Sequence, residues 1–238
     1  MKAVLFDLDG TLLPMDNDAF TLVYFKHLAK SAYAWGFTDS DAFIKAIWHG
    51  VSVMVGNDGT RTNKEAFCAC FEKDTGCDIP EVLDHFSYFY EHEFHHVRSA
   101  TSPAPLAKTL VQAAHEAADL VLLATNPLFP MNADETRMSW IGLKAEDFDY
   151  VTTYENSCWC KPDPLYYTEL LEKFSLNPED CIMIGNDVDE DIIAAREAGI
   201  QGWLLNDCMI NRKNIDPGCP QGSYEETIAY LRTLRKDT

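Results

Sequence analysis

Two aspartates stand one residue apart near the start of the chain, in Asp7-Leu8-Asp9-Gly10-Thr11, directly after the apolar run Ala3-Val4-Leu5-Phe6. In an extended segment, residues i and i+2 project to the same side, so both carboxylates can enter one site while Leu8 packs behind them. Two acids this close repel each other, and a hard divalent cation such as Mg²⁺ is the simplest compensation. Such a pair also occurs in ordinary surface turns, so partners must be sought elsewhere. Thr125-Asn126 follows the apolar run Leu120–Ala124 and offers a hydroxyl and an amide that can donate to phosphoryl oxygens. Lys161, before Pro162, offers an ammonium able to neutralise a carboxylate nucleophile and an incoming anion. Gly185-Asn186-Asp187-Val188-Asp189-Glu190-Asp191 follows the run Cys181–Ile184. The preference of acids for a helix's first turn accounts for Asp189 and Glu190. Asp187 is better placed to complete an oxygen-ligand site with Asp7 and the Asp9 region. Oxygen donors without suitably placed sulfur or imidazole favour Mg²⁺ over zinc.

The elements that must carry these residues can be read from periodicity. Val4-Leu5-Phe6 reads as a buried parallel strand that ends where Gly10 turns the chain. From residue 16 to 98 the pattern is helical: Asp18 can cap a first helix running to Gly36, Ser40 starts a second, Asn63 caps a third ending at Gly76, and Pro80 opens a fourth that carries Phe86, Phe89, Tyr90 and Phe94. Residues 99–105 read as a linker. Strands at 120–124, 150–152, 181–184 and 203–205 then alternate with helices at 106–117, 133–141, 164–174, 189–198 and 224–234, and a loop covers 206–223. This alternation predicts an α/β doubly wound parallel sheet, with residues 1–15 and 99–238 as a discontinuous core. Residues 16–98 are then an inserted all-helical cap lying over the first strand's carboxyl end. The chemistry-bearing residues all fall at strand ends, where such sheets bind ligands.

Composition narrows the partners. The 238 residues are 47% hydrophobic and 12% aromatic, enough for a substantial core. A formal net charge of −19 excludes nucleic acid and anionic membrane as expected partners. No run approaches the ~18 apolar residues of a membrane span, and the residues before Gly10 do not form a secretory signal. The eight cysteines contain no Cys-x-x-Cys, so they read as reduced thiols of a cytoplasmic protein.

The chain closely resembles the haloacid dehalogenase (HAD) superfamily of aspartate-nucleophile phosphatases. Asp7-x-Asp9-Gly10-Thr11, Thr125, Lys161-Pro162 and Gly185-Asn186-Asp187-x-x-x-Asp191 match its four motifs in order. The resemblance implies a Rossmann-like core with a helical cap, Asp7 as nucleophile and Asp9 as general acid/base. It implies phosphoryl binding at Thr125, with Asn126, Gly10 and Thr11 beside it, and charge neutralisation at Lys161. Mg²⁺ would be held by Asp7, the Asp9 main-chain carbonyl and an acid of the fourth motif. That motif departs from the family pattern, which often has an acid where this chain has Asn186. Either Asp187 is the direct ligand, with Asp191 acting through water or Lys161, or Asn186 fills the ligand slot; a carboxylate holds Mg²⁺ better than an amide. The family's dehalogenases need neither the second Asp nor a metal cluster, so Asp9 points to phosphoryl transfer.

The expected function is Mg²⁺-dependent hydrolysis of a small phosphorylated metabolite by a monomer or homodimer. A phosphomutase would use the same motifs, and a binding protein with little turnover could retain them. A rival motif, His92-Glu93-Phe94-His95-His96, fits the zinc-protease pattern His-Glu-x-x-His if His92 and His96 lie one helical turn apart. Aromatic residues on the same helix speak instead for packing. Substrate choice is expected from the polar cap loop at residues 56–63, with Asn57 and Arg61 as contacts.

Overall fold

A computed structural model describes residues 1–234. Its centre is a six-stranded sheet in the order β3-β2-β1-β4-β5-β6, and every neighbouring pair is parallel. The strands are β1 (Ala3–Phe6), β2 (Leu120–Leu123), β3 (Tyr150–Val151), β4 (Cys181–Gly185), β5 (Gln201–Leu205) and β6 (Gln221–Gly222). β1 is central: Val4 sits opposite Val121 on one side and Ile182 on the other. The alternation of side chains along a strand divides the core between two faces. Val4, Phe6, Val121, Leu123, Ile182 and Ile184 belong to one cluster, and Ala3, Leu5, Leu122, Cys181 and Met183 to another. Burying each such side chain is worth about 1.5–3 kcal/mol, so a one-residue register slip would misplace the whole set.

Four helices stand between β1 and β2: α1 (Asn17–Ala34), α2 (Ser40–Val55), α3 (Asn63–Thr75) and α4 (Ile79–His92). A 3₁₀ helix, Phe94–Ala100, follows. The core helices are α5 (Ala107–Ala117), α6 (Met131–Trp140), α7 (Pro164–Phe174), α8 (Ala194–Glu197) and α9 (Tyr224–Thr233). The expected doubly wound sheet with an all-helical insertion is what forms. The insertion shares one apolar cluster with the core, in which Phe20, Phe86 and Phe94 pack with Val4 and Phe6.

Several expected details are corrected. Asp16, not Asp18, caps α1 by accepting from the Ala19 amide. Thr62, not Asn63, caps α3 in a reciprocal box with Glu65. Asn63 is instead buried, its amide donating to the carbonyls of Pro127 and Trp159. The helix expected over 189–198 is a π-helical turn, Val188–Ile193, running into α8. Part of the 99–105 linker is 3₁₀ helix, and the loop at 206–223 contains β6, which at two residues leaves no periodicity to read.

Candidate active site

Asp7 extends β1 by one residue, its amide donating to the Ile184 carbonyl at 3.0 Å. The turn at Gly10 then brings the chain back. Gly10 has φ +86°, and a Cβ there would overlap the Asn186 side chain, so only glycine fits. Thr11 sits beneath the site with its hydroxyl between Asp7 Oδ2 (3.2 Å) and Asn186 Oδ1 (2.9 Å).

Lys161 is buried and bridges two of the strand ends: Nζ lies 3.0 Å from Asp7 Oδ1 and 2.6 Å from Asp191 Oδ1. Burial opposes the ammonium charge, but Asp191 and Asp7 outweigh it and hold the lysine pKa well above its usual value. Burial likewise pushes the Asp191 carboxyl up, against the pull of Lys161. Its Oδ2 also accepts from the Asn186 and Asp187 amides, each at 3.0 Å. Three donors on one carboxyl suit its ionised form, so we assign an ion pair here. The close approach of Asp191 needs Gly185, where a Cβ would collide with the Asp191 side chain.

Thr125 is placed by its carbonyl, which accepts from Thr152 Oγ1 at 2.6 Å and Tyr166 Oη at 2.9 Å. Asn126 donates to Glu190 Oε2 at 3.1 Å, and burial pushes the Glu190 carboxyl up to about 7. Asp187 Oδ1 caps the π-helical turn by accepting from the Asp189 and Glu190 amides. Its Oδ2 accepts from Arg212 at 2.9 Å.

Asp9 is held from behind. Arg137 of α6 is wholly buried, donates to both Asp9 and Asp134, and lies 4.4 Å from the centre of the Phe129 ring. About a quarter of the Asp9 side chain stays exposed, on the cavity side. Burial lifts its pKa above the ordinary carboxylate value, with Arg137 opposing. Burial likewise pushes Asp134 up to about 7, again against Arg137.

These groups meet at a cavity of about 270 Å³ whose lining includes Asp7, Asp9, Thr125, Asn126, Asn186, Asp187 and Asp191. Three stretches of sequence, around Asp7, Thr125 and Asp187, meet at its lining, and Lys161 of a fourth reaches Asp7 and Asp191 from behind it. Gly10 and Thr11 lie under the turn that follows Asp7 instead of lining the cavity, and the Gly10 amide donates to the Leu13 carbonyl. Asn57 and Arg61 do not line it either: Asn57 Nδ2 donates to the Arg61 carbonyl and to Asn63 Oδ1, both at 2.9 Å. Nor does the His-Glu-x-x-His geometry form. α4 ends at His92, and His96 lies in the following 3₁₀ helix. His92 Nδ1 lies 3.0 Å from the Tyr88 carbonyl, and His96 stacks on His27. Among the described residues, His49, Cys70 and Asp74 form a cluster of three ligand side chains whose atoms lie within 4.8 Å of one another, and it lies outside this cavity.

Arg137, Asp134, Glu190 and Arg212 were missed as site residues. Asp134-x-x-Arg137 had a legible signal: both residues fall on the same helix face as the apolar Ala133 and Met138, an unusual place for an unpaired charge. Arg212 lies in a polar loop with no pattern to single it out.

A parallel sheet gathers carboxylates and a buried lysine at its strand ends, with four helices inserted between its first two strands, which is the architecture of a haloacid dehalogenase-like hydrolase. Residues 1–199 match the family model of haloacid dehalogenase-like hydrolases, and the chain belongs to that family. A phosphoglycolate phosphatase of Vibrio cholerae is 27% identical over 208 residues, covering 86% of this chain and 84% of that protein. A glyceraldehyde 3-phosphate phosphatase of Methanothermobacter thermautotrophicus is 36% identical, but over only 59 residues, about a quarter of each chain. Among solved structures, a HAD phosphatase from Thermococcus onnurineus superposes with a TM-score of 0.61 at 19% identity, covering 99% of this chain and all of that one. A 2-haloacid dehalogenase from Pseudomonas syringae reaches 0.59, also at 19% identity, covering 97% and 99%. Phosphatase and dehalogenase share this fold, so the reaction must be argued from the site. No described helix is long and apolar enough to cross a membrane.

Proposed function

We propose that this protein is a Mg²⁺-dependent phosphatase that hydrolyses a small phosphate monoester through an aspartyl-phosphate on Asp7. The observation that carries the reading is the second carboxyl. Asp9 lines the same cavity as Asp7 and is lifted by burial towards a protonation state useful to a departing alcohol. A dehalogenase has no proton to deliver to its leaving halide.

The residues divide the work as follows. An Asp7 carboxylate oxygen forms the new bond to phosphorus as the bond to the leaving oxygen breaks, which splits one difficult displacement into two. Asp9 gives its proton to the leaving alcohol and then takes one from the water that attacks phosphorus, restoring the Asp7 carboxylate. Lys161 offsets the repulsion between nucleophile and substrate and orients Asp7 through their 3.0 Å contact. Thr125 and Asn126 flank the phosphoryl position. Arg137 is a positioning residue that fixes the Asp9 carboxyl.

The donor set suits Mg²⁺: carboxylate and amide oxygens line the cavity, with no cysteine or histidine among the described lining residues. Asp7, the Asp9 carbonyl and Asp187 would hold the ion, which supplies positive charge at the phosphoryl oxygens. Asp187 is favoured over Asn186, whose Oδ1 already accepts from Thr11 and whose Nδ2 donates to the Cys208 carbonyl at 2.8 Å. Arg212 now neutralises Asp187, but its side chain is 60% exposed and can yield at little cost.

The test is a screen of phosphorylated metabolites with Mg²⁺ and with a chelator, with products analysed for free phosphate and for isomers. Phosphate release that needs Mg²⁺ is expected. An isomer without net phosphate release identifies a mutase, and no turnover of any ester removes the enzymatic reading.

A further inference from the structure

Twelve of the cavity-lining residues come from α1 to α4, and none of them is charged. Most are apolar or aromatic, among them Phe20, Phe25, Trp48, Val51, Met54 and Phe67. Tyr24 and Tyr90 hydrogen-bond each other at 2.8 Å, so the roof's two phenols keep one O–H hydrogen between them. The remaining polar groups there are Asn17 and Thr21. Arg212 is the cation among the described lining residues, and its guanidinium is on Asp187, at the phosphoryl end. The floor presents Asp7, Asp9, Asp187, Glu190 and Asp191.

We infer that the natural substrate is a phosphate monoester of an uncharged, predominantly apolar alcohol, with an aryl or alkyl group seated under the inserted helices. This rests on the phosphatase reading above and specifies its substrate. A carboxylate on the leaving group would enter an apolar roof with no cation to meet it, facing a floor rich in acids. An unpaired charge buried in such surroundings is strongly disfavoured. A polyol or sugar would place most of its hydroxyls against apolar side chains, with Asn17, Thr21 and the tyrosine pair as the few polar groups on the roof. An aryl or alkyl group loses nothing there and gains contact with the rings. The phosphate is held at the floor, so discrimination falls on the other end of the molecule, where the roof decides it.

The test compares phosphate release by the full-length chain with Mg²⁺ from benzyl phosphate, butyl phosphate, 2-phosphoglycolate and glucose 6-phosphate, with p-nitrophenyl phosphate as a reference. Benzyl and butyl esters leave as alcohols, as the other two substrates do, so leaving-group chemistry does not dominate the comparison. The expected result is kcat/KM for benzyl phosphate higher than for 2-phosphoglycolate by about 10²-fold or more. Thr21→Arg, which places a cation in the half-buried wall of α1, should narrow that ratio by raising phosphoglycolate turnover and lowering benzyl phosphate turnover. Equal or better turnover of 2-phosphoglycolate or glucose 6-phosphate by the unmodified protein overturns the substrate inference and leaves the phosphatase reading standing. No turnover of any ester, p-nitrophenyl phosphate included, overturns both.

Discussion

Behind the floor of the cavity, Lys161 lies within 3.0 Å of two carboxylates, and a second cation, Arg137, is buried between two more. On the roof, the lining side chains from the inserted helices carry no charge, and Tyr24 and Tyr90 hydrogen-bond each other. The floor is built by strand ends and the roof by helix faces. Parallel strands deliver polar groups at their carboxyl ends because the sheet's hydrogen bonding and packing stop there. An amphipathic helix presents a continuous apolar stripe to whatever it covers. On the function proposed, reaction chemistry and substrate selection are carried by different secondary structure, and a substitution should affect one far more than the other.

The largest effect is expected at the buried cation of the floor. Arg137→Met leaves the Asp9 and Asp134 carboxyls without their partner, which should cost about 3–5 kcal/mol of stability and lower kcat by about 10²-fold or more through loss of Asp9 orientation. Denaturant unfolding and steady-state kinetics measure the two effects, and a stable, active variant would contradict a positioning role. Next comes the metal requirement. Asp187→Ala should raise the Mg²⁺ concentration needed for half-maximal activity much more than Asn186→Ala does, and the opposite order in a magnesium titration would place the ligand at Asn186.

A smaller effect concerns pH. Burial pushes Asp134 up to about 7 from the ordinary 3.8, so folding takes up a proton between those values. This group's contribution is most favourable below about pH 4 and declines as pH rises towards about 7. Asp134→Asn should flatten that slope in unfolding experiments run from about pH 4 to 7.5, and an unchanged slope would mean that the carboxyl stays ionised throughout. The smallest effect belongs to the roof. Tyr24→Phe should cost about 0.5–1.5 kcal/mol by removing one hydrogen bond while leaving kcat nearly unchanged. A large fall in kcat would make Tyr24 part of the reaction chemistry and blur the division between floor and roof.

The floor was more legible in the sequence than the roof, for a physical reason. Asp7, Asp9, Thr125, Lys161 and Asp187 each sit within a few residues of an apolar run or a turn-forming residue, so local pattern places them at one edge of a sheet. Their convergence then follows from parallel topology. The partner of Asp9 was not legible in that way: Arg137 is 128 residues distant, and its pairing depends on how α6 packs against the first turn. That Asn57 and Arg61 stand outside the cavity lining has the same origin. Polarity marked residues 56–63 as a loop, but Gly59 packs so closely on Trp159 that the loop turns to the core surface and away from the cavity. The roof's chemistry was hidden because Phe20, Trp48 and Phe67 read as ordinary packing residues. Only the tertiary structure separates those that face the cavity from those that face a neighbouring helix.

The most direct measurement is capture of the phosphoryl group on the protein. The chain is mixed with Mg²⁺ and p-nitrophenyl phosphate, quenched in acid within one turnover and reduced with borohydride, which converts an acyl-phosphate to an alcohol. Peptide mass spectrometry should find homoserine at position 7 and unmodified aspartate at positions 9, 187 and 191, with no conversion in Asp7→Asn. Steady phosphate release with position 7 unmodified, or with the modification at another carboxylate, would contradict nucleophilic catalysis by Asp7.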